Sequence, residues 1–272
     1  MQNLKEKAGL YFEKNALKYK EDYYLRSKIH PKWIRHQIIL KLVEEFIPSR
    51  VSLILDVGCG PGFLASDLAK KGYQGFGIDI SNRMINLSKD HLKDKGWDFS
   101  VRDVEQTKFE ENKFDCVIAS GVIEYMNEDL KMLQEMQRIL KPGGYLIINI
   151  TNILGYSTSL NSLTNLVKRI PFILGFLSII RKKSLKSEHG ADNLGFSPRK
   201  HFVFDFKKSL NVSGFRIIKN ISHHFSILPA PFSTLTESIF GNIDAKLDFL
   251  GNTPLKIFSS SNLICAEKVE ED

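Results

Sequence analysis

Long apolar runs are missing from this chain of 272 residues. Nowhere do about 18 apolar residues follow one another, the least that a bilayer-crossing helix needs. Cysteine is scarce as well. Cys59, Cys116 and Cys265 are odd in number and widely scattered. They suit neither a disulfide framework nor a zinc site, and they fit a reducing cytosol. The opening residues, MQNLKEKAGLYFEK, have no apolar core of the kind a secretory leader carries, so a cytoplasmic location is expected. Internal repeats and low-complexity tracts are absent too. What is present is ordinary globular composition, 43% apolar and 25% charged. The length suffices for one large α/β domain with insertions, or for a domain plus a lid.

The net charge of +7 is unevenly spread. Residues 1–50 carry +5, residues 51–150 carry −3, residues 151–220 carry +9 and residues 221–272 carry −4. An excess gathered in one segment predicts an anionic surface as partner, either a membrane or a nucleic acid. Within it, residues 153–183 read as apolar and then basic, with Arg169, Arg181, Lys182, Lys183 and Lys186 flanking the stretch from Ile170 to Ile180. Its uncharged centre, Ile170 to Ile180, is too short to span a bilayer but suits an interfacial helix. A peripheral place at the inner face of the membrane is therefore expected beside the alternative of a lid packed on a hydrophobic pocket.

The hydrophobic period divides the chain into four parts. Residues 1–50 read as an N-terminal helical cap, in which Ile34, Ile38, Leu42 and Phe46 form a stripe and Pro31 suits the helix start. Residues 51–151 read as a core in which short apolar runs (51–57, 73–80, 99–101, 114–120, 145–151) alternate with helical patterns. Such alternation predicts a parallel, doubly wound sheet. Residues 152–205 form the apolar and basic insertion. Residues 206–272 supply a short helix and two more strands, 215–221 and 262–268, around a long insertion over 222–261.

The strongest local signal is Asp56-Val57-Gly58-Cys59-Gly60-Pro61-Gly62, directly after a strand and opening a helix. Glycines let backbone turn sharply and approach a ligand closely. A dinucleotide fingerprint would need its third glycine where Phe63 stands. A carboxylate at Asp56 would repel a pyrophosphate, but it can hold the α-ammonium of a methionine moiety. Asp79, at the end of the second strand, can accept hydrogen bonds from both ribose hydroxyls. Asp103, after the third strand, can accept from the exocyclic amine of adenine, with Val104 packing near the ring.

In order and spacing, ILDVGCGPG (54–62), GIDIS (77–81), RDVE (102–105), FDCVIASGVIEYM (114–126) and LKPGGYLIINIT (140–151) resemble the successive motifs of class I S-adenosylmethionine (SAM)-dependent methyltransferases. The resemblance covers about residues 50–151. It implies an α/β fold with a mainly parallel seven-stranded sheet whose last pair is antiparallel. It implies SAM as cofactor, with Asp56, Gly58, Cys59, Gly60 and Gly62 around the methionine part. Asp79, Ile80 and Met84 fall to the ribose side, Asp103 and Val104 to the adenine, and Ser120 and Gly121 to the sulfonium side. Glu124 and Tyr125 stand where relatives often have Glu-His.

The implied chemistry is methyl transfer to a nucleophile, and a hydroxyl acceptor would need a base. His201, in RKHFVFDFKKSL, resembles the histidine of a segment found in many small-molecule methyltransferases; His189, in KSEHGADN, is the second candidate. A small hydrophobic or lipid-like acceptor is expected, because the cap and the large insertions resemble those of the quinone-biosynthesis type. An RNA acceptor is the alternative. Against it, residues 122–126 lack the Asn/Asp-Pro-Pro-aromatic tetrad typical of base-amine methyltransferases. A SAM-binding protein without catalysis is the third reading. No metal is expected.

Overall fold

A computed structural model describes residues 3–25, 31–47, 49, 51–92, 96–155, 195–225, 251 and 253–269. Two helices come first, α1 (Leu4–Leu25) and α2 (Pro31–Phe46). The core follows as β1 (Leu53–Val57), α3 (Phe63–Lys70), β2 (Gln74–Asp79), α4 (Asn82–His91), β3 (Trp97–Val101), β4 (Phe114–Ala119), α5 (Asp129–Ile139) and β5 (Leu140–Thr151). Then come α6 (Val203–Val212), β6 (Phe215–His223) and β7 (Ser261–Lys268).

The strands form one seven-stranded sheet in the order β3-β2-β1-β4-β5-β7-β6. β1 to β5 pair in parallel, and β7 alone runs the other way, between β5 and β6. The expected doubly wound sheet with an antiparallel last pair is thus what the chain forms. Strand order reverses between β1 and β4, so a crevice opens past the carboxyl ends of these two strands, where such sheets bind ligands.

Both sheet faces are buried, which is why the strands read as continuous apolar runs. On one face Leu55, Val117 and Ile148 pack with Met132 and Met136 of α5 and Phe206 and Leu210 of α6. On the other, Ile54, Ile118 and Ile147 pack with Ile39, Leu42 and Val43 of α2, Leu68 of α3 and Ile85 of α4.

Some local readings shift. The buried side of α2 centres on Ile39, Leu42 and Val43, while Ile34, Ile38 and Phe46 are only partly buried. That brings Arg35, one turn before Ile39, onto the sheet-facing side. The Lys141-Pro142-Gly143-Gly144 turn lies inside β5, at a shift of register between Phe114 and Cys116 of β4. His189 lies outside the described residues, as do most of the 152–205 and 222–261 insertions. Among the described residues no helix is long and apolar enough to cross a membrane, and no cluster of His, Cys, Asp or Glu could hold a metal.

Candidate active site

The glycine loop leaves β1 and enters α3, and its geometry explains its composition. Gly58 has φ +65°, and a Cβ there would stand 2.4 Å from Cγ2 of Val122 in the loop after β4. Only glycine lets the ends of β1 and β4 approach so closely. Asp79, at the end of β2, accepts from the Gly60 amide at 3.1 Å and from the Ser81 amide at 2.9 Å. These bonds fix the carboxylate beside the loop. Ser81 then caps α4 by accepting from the Met84 amide.

Burial dominates the electrostatics here. It lifts the Asp56 carboxyl to about 8, helped by the nearby Asp79. It also lifts Asp79 to about 6, against the lowering effect of its backbone donors. Burial, then Asp56 and Asp79, hold the Cys59 thiol well above its ordinary range, so it is no nucleophile. Buried carboxylates of this kind suit a cationic ligand. The turn that excludes a Cβ at Gly58, the locked Asp79 and the acidic lining at Asp56 together fit SAM, whose amino acid end is an ammonium and whose ribose offers two hydroxyls.

Asp103 follows β3 as expected, but it has company from α1. Its Oδ2 takes Lys5 Nζ at 2.8 Å, and its Oδ1 takes the Glu105 amide at 3.0 Å. Lys5 also pairs with Glu105. Val104 is buried beside it, whereas Ile80 is 43% exposed and Gly9 of α1 lies against it. Glu13 of α1 accepts from Ser81 Oγ at 2.6 Å and from the Arg83 amide at 3.0 Å. α1 is thereby tied across the carboxyl edge of the sheet by contacts that no local sequence pattern announces.

Past β4, the chain passes Ser120 and Gly121 into a short 3-10 turn, Ile123–Tyr125. Tyr125 packs edge-on against Phe12 of α1 and Phe196, with centroids 5.4 and 6.2 Å away. Tyr11 joins the same cluster through Phe196. Glu124 is buried with Oε2 lacking a hydrogen bond, and burial raises its pKa against the lowering effect of Arg35, His201 and Lys32. His201 lies alongside, bridged to Asn152 after β5 and stacked edge-on to Phe206. Its Nε2 sits 3.1 Å from Asp129 Oδ1, while its Nδ1 is buried without a partner. Partial burial opposes ionisation of Asp129, but His201 and Arg199 together bring its pKa below the ordinary range.

The structure therefore gathers Asp56, Gly58 to Gly62, Asp79, Asp103, Ser120, Gly121 and His201 at one edge of the sheet. Met84 lies beneath that edge, 1% exposed in the first turn of α4. Three residues went unread in the sequence: Arg35, Asn149 and Asp129. Arg35 had a usable signal, a cation at helical spacing from Ile39 and Leu42. Asp129 had none, because its pairing with His201 spans 72 residues.

Comparison with known proteins agrees with this geometry. A family described as a methyltransferase domain matches residues 55–148. A ubiquinone biosynthesis O-methyltransferase of Coxiella burnetii is 28% identical over 128 residues, 46% of this chain and 55% of that protein. The chain thus spans about half the length of such relatives. One of the same name from Methylococcus capsulatus is 26% identical over 172 residues, 57% of this chain and 73% of that protein. In fold, the chain is similar to a Synechocystis magnesium protoporphyrin IX methyltransferase with bound S-adenosylhomocysteine. The TM-score is 0.61 at 17% identity, over 98% of this chain and 100% of that one. It is also similar to the [4+2]-cyclase SpnF, with TM-score 0.63 at 17% identity, over 99% and 97% of the two chains. The stretch from residue 55 to residue 148, which carries the glycine loop and the acidic strand ends, thus matches a methyltransferase-domain family.

Proposed function

We propose that this chain transfers a methyl group from SAM to a hydroxyl of a small hydrophobic or lipid-like acceptor. The observation that carries the reading is the aromatic and polar cluster past β4, where Tyr125, Phe12 and Phe196 adjoin the buried, incompletely bonded Glu124 and His201. Aromatic walls suit a hydrophobic ring, and the unspent polar atoms suit a hydroxyl. The relatives' names, ubiquinone biosynthesis O-methyltransferase, support an acceptor of that kind.

When bound, SAM supplies an already activated methyl group, so the chain's task is to position the acceptor, exclude water and accept a proton. His201 fits the last role. With Asp129 ionised, the imidazole's Nε2–H is held toward its carboxylate, which leaves the Nδ1 lone pair to take the acceptor's proton. Asp56 and the glycine loop hold the methionine part, and Asp79 the ribose. Asp103 serves the adenine once Lys5 shares it. His189 remains the second base on sequence grounds alone. A peripheral site at an anionic membrane, from the cytoplasmic side, is the second part of the proposal; it rests on the charge and apolarity of residues 153–186.

The test is methyl transfer from labelled SAM to simple catechols and to a lipid extract, followed by mass spectrometry. Transfer to at least one phenolic acceptor is expected. His201→Asn should lower kcat by about 10²–10⁴ while SAM affinity stays unchanged. SAM binding without transfer to any acceptor would mark a non-catalytic SAM-binding protein, and transfer only to RNA would replace the acceptor class.

A further inference from the structure

We propose that Arg35, with His223 and Asn149, forms a subsite that binds a carboxylate carried by the acceptor. The idea rests on reading the side-chain cluster past β4 as the acceptor site, and it adds what that acceptor must look like.

The three residues come from different elements and meet at the same edge. α2 lies along β5 in the opposite direction. Its last residue, Phe46, packs on Tyr145 in the middle of β5, centroids 5.3 Å apart, and its first part reaches the carboxyl ends of the strands, where Arg35 adjoins Gly121. Arg35 projects from this first part of α2. A Cβ placed on Gly121, where φ is +80°, would stand 3.4 Å from Arg35 Nη2. The guanidinium thus lies over the end of β4, beside the residues assigned to the sulfonium side. Among the described residues Arg35 makes no hydrogen bond or ion pair. Its charge is nonetheless felt by Glu124 and by His223.

His223 ends β6 and is 2% exposed, yet neither ring nitrogen has a hydrogen-bond partner. Its strand partner is Ser261, whose Oγ donates to Asn149 Oδ1 at 2.8 Å. Asn149 is 1% exposed, and its Nδ2 has no partner. Leu263, two residues after Ser261, packs with α2, and alternation along β7 puts Ser261 on that same face. Asn149 and His223 therefore look toward the side that α2 covers.

The inventory of unspent atoms selects the ligand. The guanidinium offers five N–H donors, a neutral imidazole one and the Asn149 amide nitrogen two. Buried donors are seldom left unsatisfied, so the group that completes this set must be rich in acceptors. A carboxylate presents two acceptor oxygens at the spacing of a guanidinium fork. One negative charge matches the one guanidinium. A dianionic phosphate would leave charge uncompensated beside Glu124. Because Arg35 adjoins Gly121, carboxylate and reacting hydroxyl are set close together, as on a single hydroxylated aromatic ring.

The test uses the full chain saturated with S-adenosylhomocysteine and titrated calorimetrically with benzoate and with catechol. Benzoate carries the carboxylate alone, and catechol the hydroxyls alone. Benzoate should bind, and Arg35→Gln should weaken it roughly 10–100-fold. Arg35→Lys should restore part of the loss, since it keeps the charge without the fork. Catechol should weaken less than about threefold in Arg35→Gln, and an unchanged S-adenosylhomocysteine affinity shows that the variant is folded. The proposal is overturned if benzoate does not bind the wild type, or if Arg35→Gln weakens benzoate and catechol by the same factor. Catechol methylated without benzoate binding would remove the subsite and leave the proposed function standing. Arg35-dependent benzoate binding with no methyl transfer to any acceptor would do the reverse.

Discussion

At the scale of single residues, the site is organised by carboxylates that are hard to ionise. Asp56 and Asp79 have folded-state pKa values near 8 and 6, above the ordinary 3.8, chiefly because they are buried. Carboxyl groups raised in this way favour the fold at low pH. They withdraw that support as pH climbs through about 6 and then about 8. A bound ammonium reverses the preference of Asp56, because an adjacent cation favours its carboxylate. SAM binding near neutral pH should therefore expel a proton, and affinity should rise with pH up to about 8. Calorimetry of SAM binding in two buffers with different ionisation enthalpies counts that proton. Binding with proton uptake, or with none, would show that Asp56 does not face the ammonium. Asp56→Asn should abolish the release, since an amide has no proton to lose.

At the scale of elements, what was legible followed from local rules, and what was not depended on contacts between distant segments. VSLILDV followed by Gly58 to Gly62 announces a buried strand and a tight turn, and β1 with its loop lies there. GIDIS announces a strand end and a helix cap, and Asp79 and Ser81 act as such. The phase of α2 was misplaced because its one-sided stripe is weak: residues all around the helix are apolar, and only packing on β5 selects Ile39 and Val43. The role of α1 was invisible, because its polar ties reach Ser81, Asp103, Glu105 and Asn127, some 70 to 120 residues away. Those ties hold α1 across the carboxyl edge of the sheet, beside Asp79 and Asp103. Glu13 is the tie to remove first. The Ser81 hydroxyl, followed by the Arg83 amide, holds its carboxylate below the ordinary pKa, so the bonds are made to the charged form. Glu13→Ala should speed release of S-adenosylhomocysteine about tenfold, the effect of losing one charged hydrogen bond at a partly exposed site. Stopped-flow displacement measures this rate. An unchanged rate would mean that the ligand leaves without α1 moving.

At the scale of the whole molecule, the charge asymmetry acquires a location once the pairing of its cations is known. Residues 151–220 carry 12 basic and 3 acidic groups, yet several of these cations are engaged within the described fold. Arg199 pairs with Asp129 at 2.7 Å, Arg216 with Glu267 at 2.6 Å and Lys219 with Glu45 at 2.8 Å. Six others, Lys168, Arg169, Arg181, Lys182, Lys183 and Lys186, lie in the sequence around the uncharged stretch Ile170 to Ile180, outside the described residues. A hydrophobic acceptor partitions into membranes, and a methyltransferase that draws on one gains by residing at the surface. Cations near an anionic bilayer contribute on the order of 1 kcal/mol each, an attraction that fades within a Debye length as salt is added. The chain should accordingly co-sediment with vesicles containing anionic lipid at low ionic strength and be released as salt rises. Replacing Arg181, Lys182 and Lys183 together by Ala should lower vesicle affinity on the order of 100-fold. Arg216→Ala, which removes a cation already paired at the far edge of the sheet, should change it little. If the wild type stays in solution with anionic vesicles at low salt, the membrane part of the proposal fails. If Arg216→Ala weakens binding as much as the triple variant, net charge alone is responsible and the stretch around Ile170 to Ile180 has no special part in it.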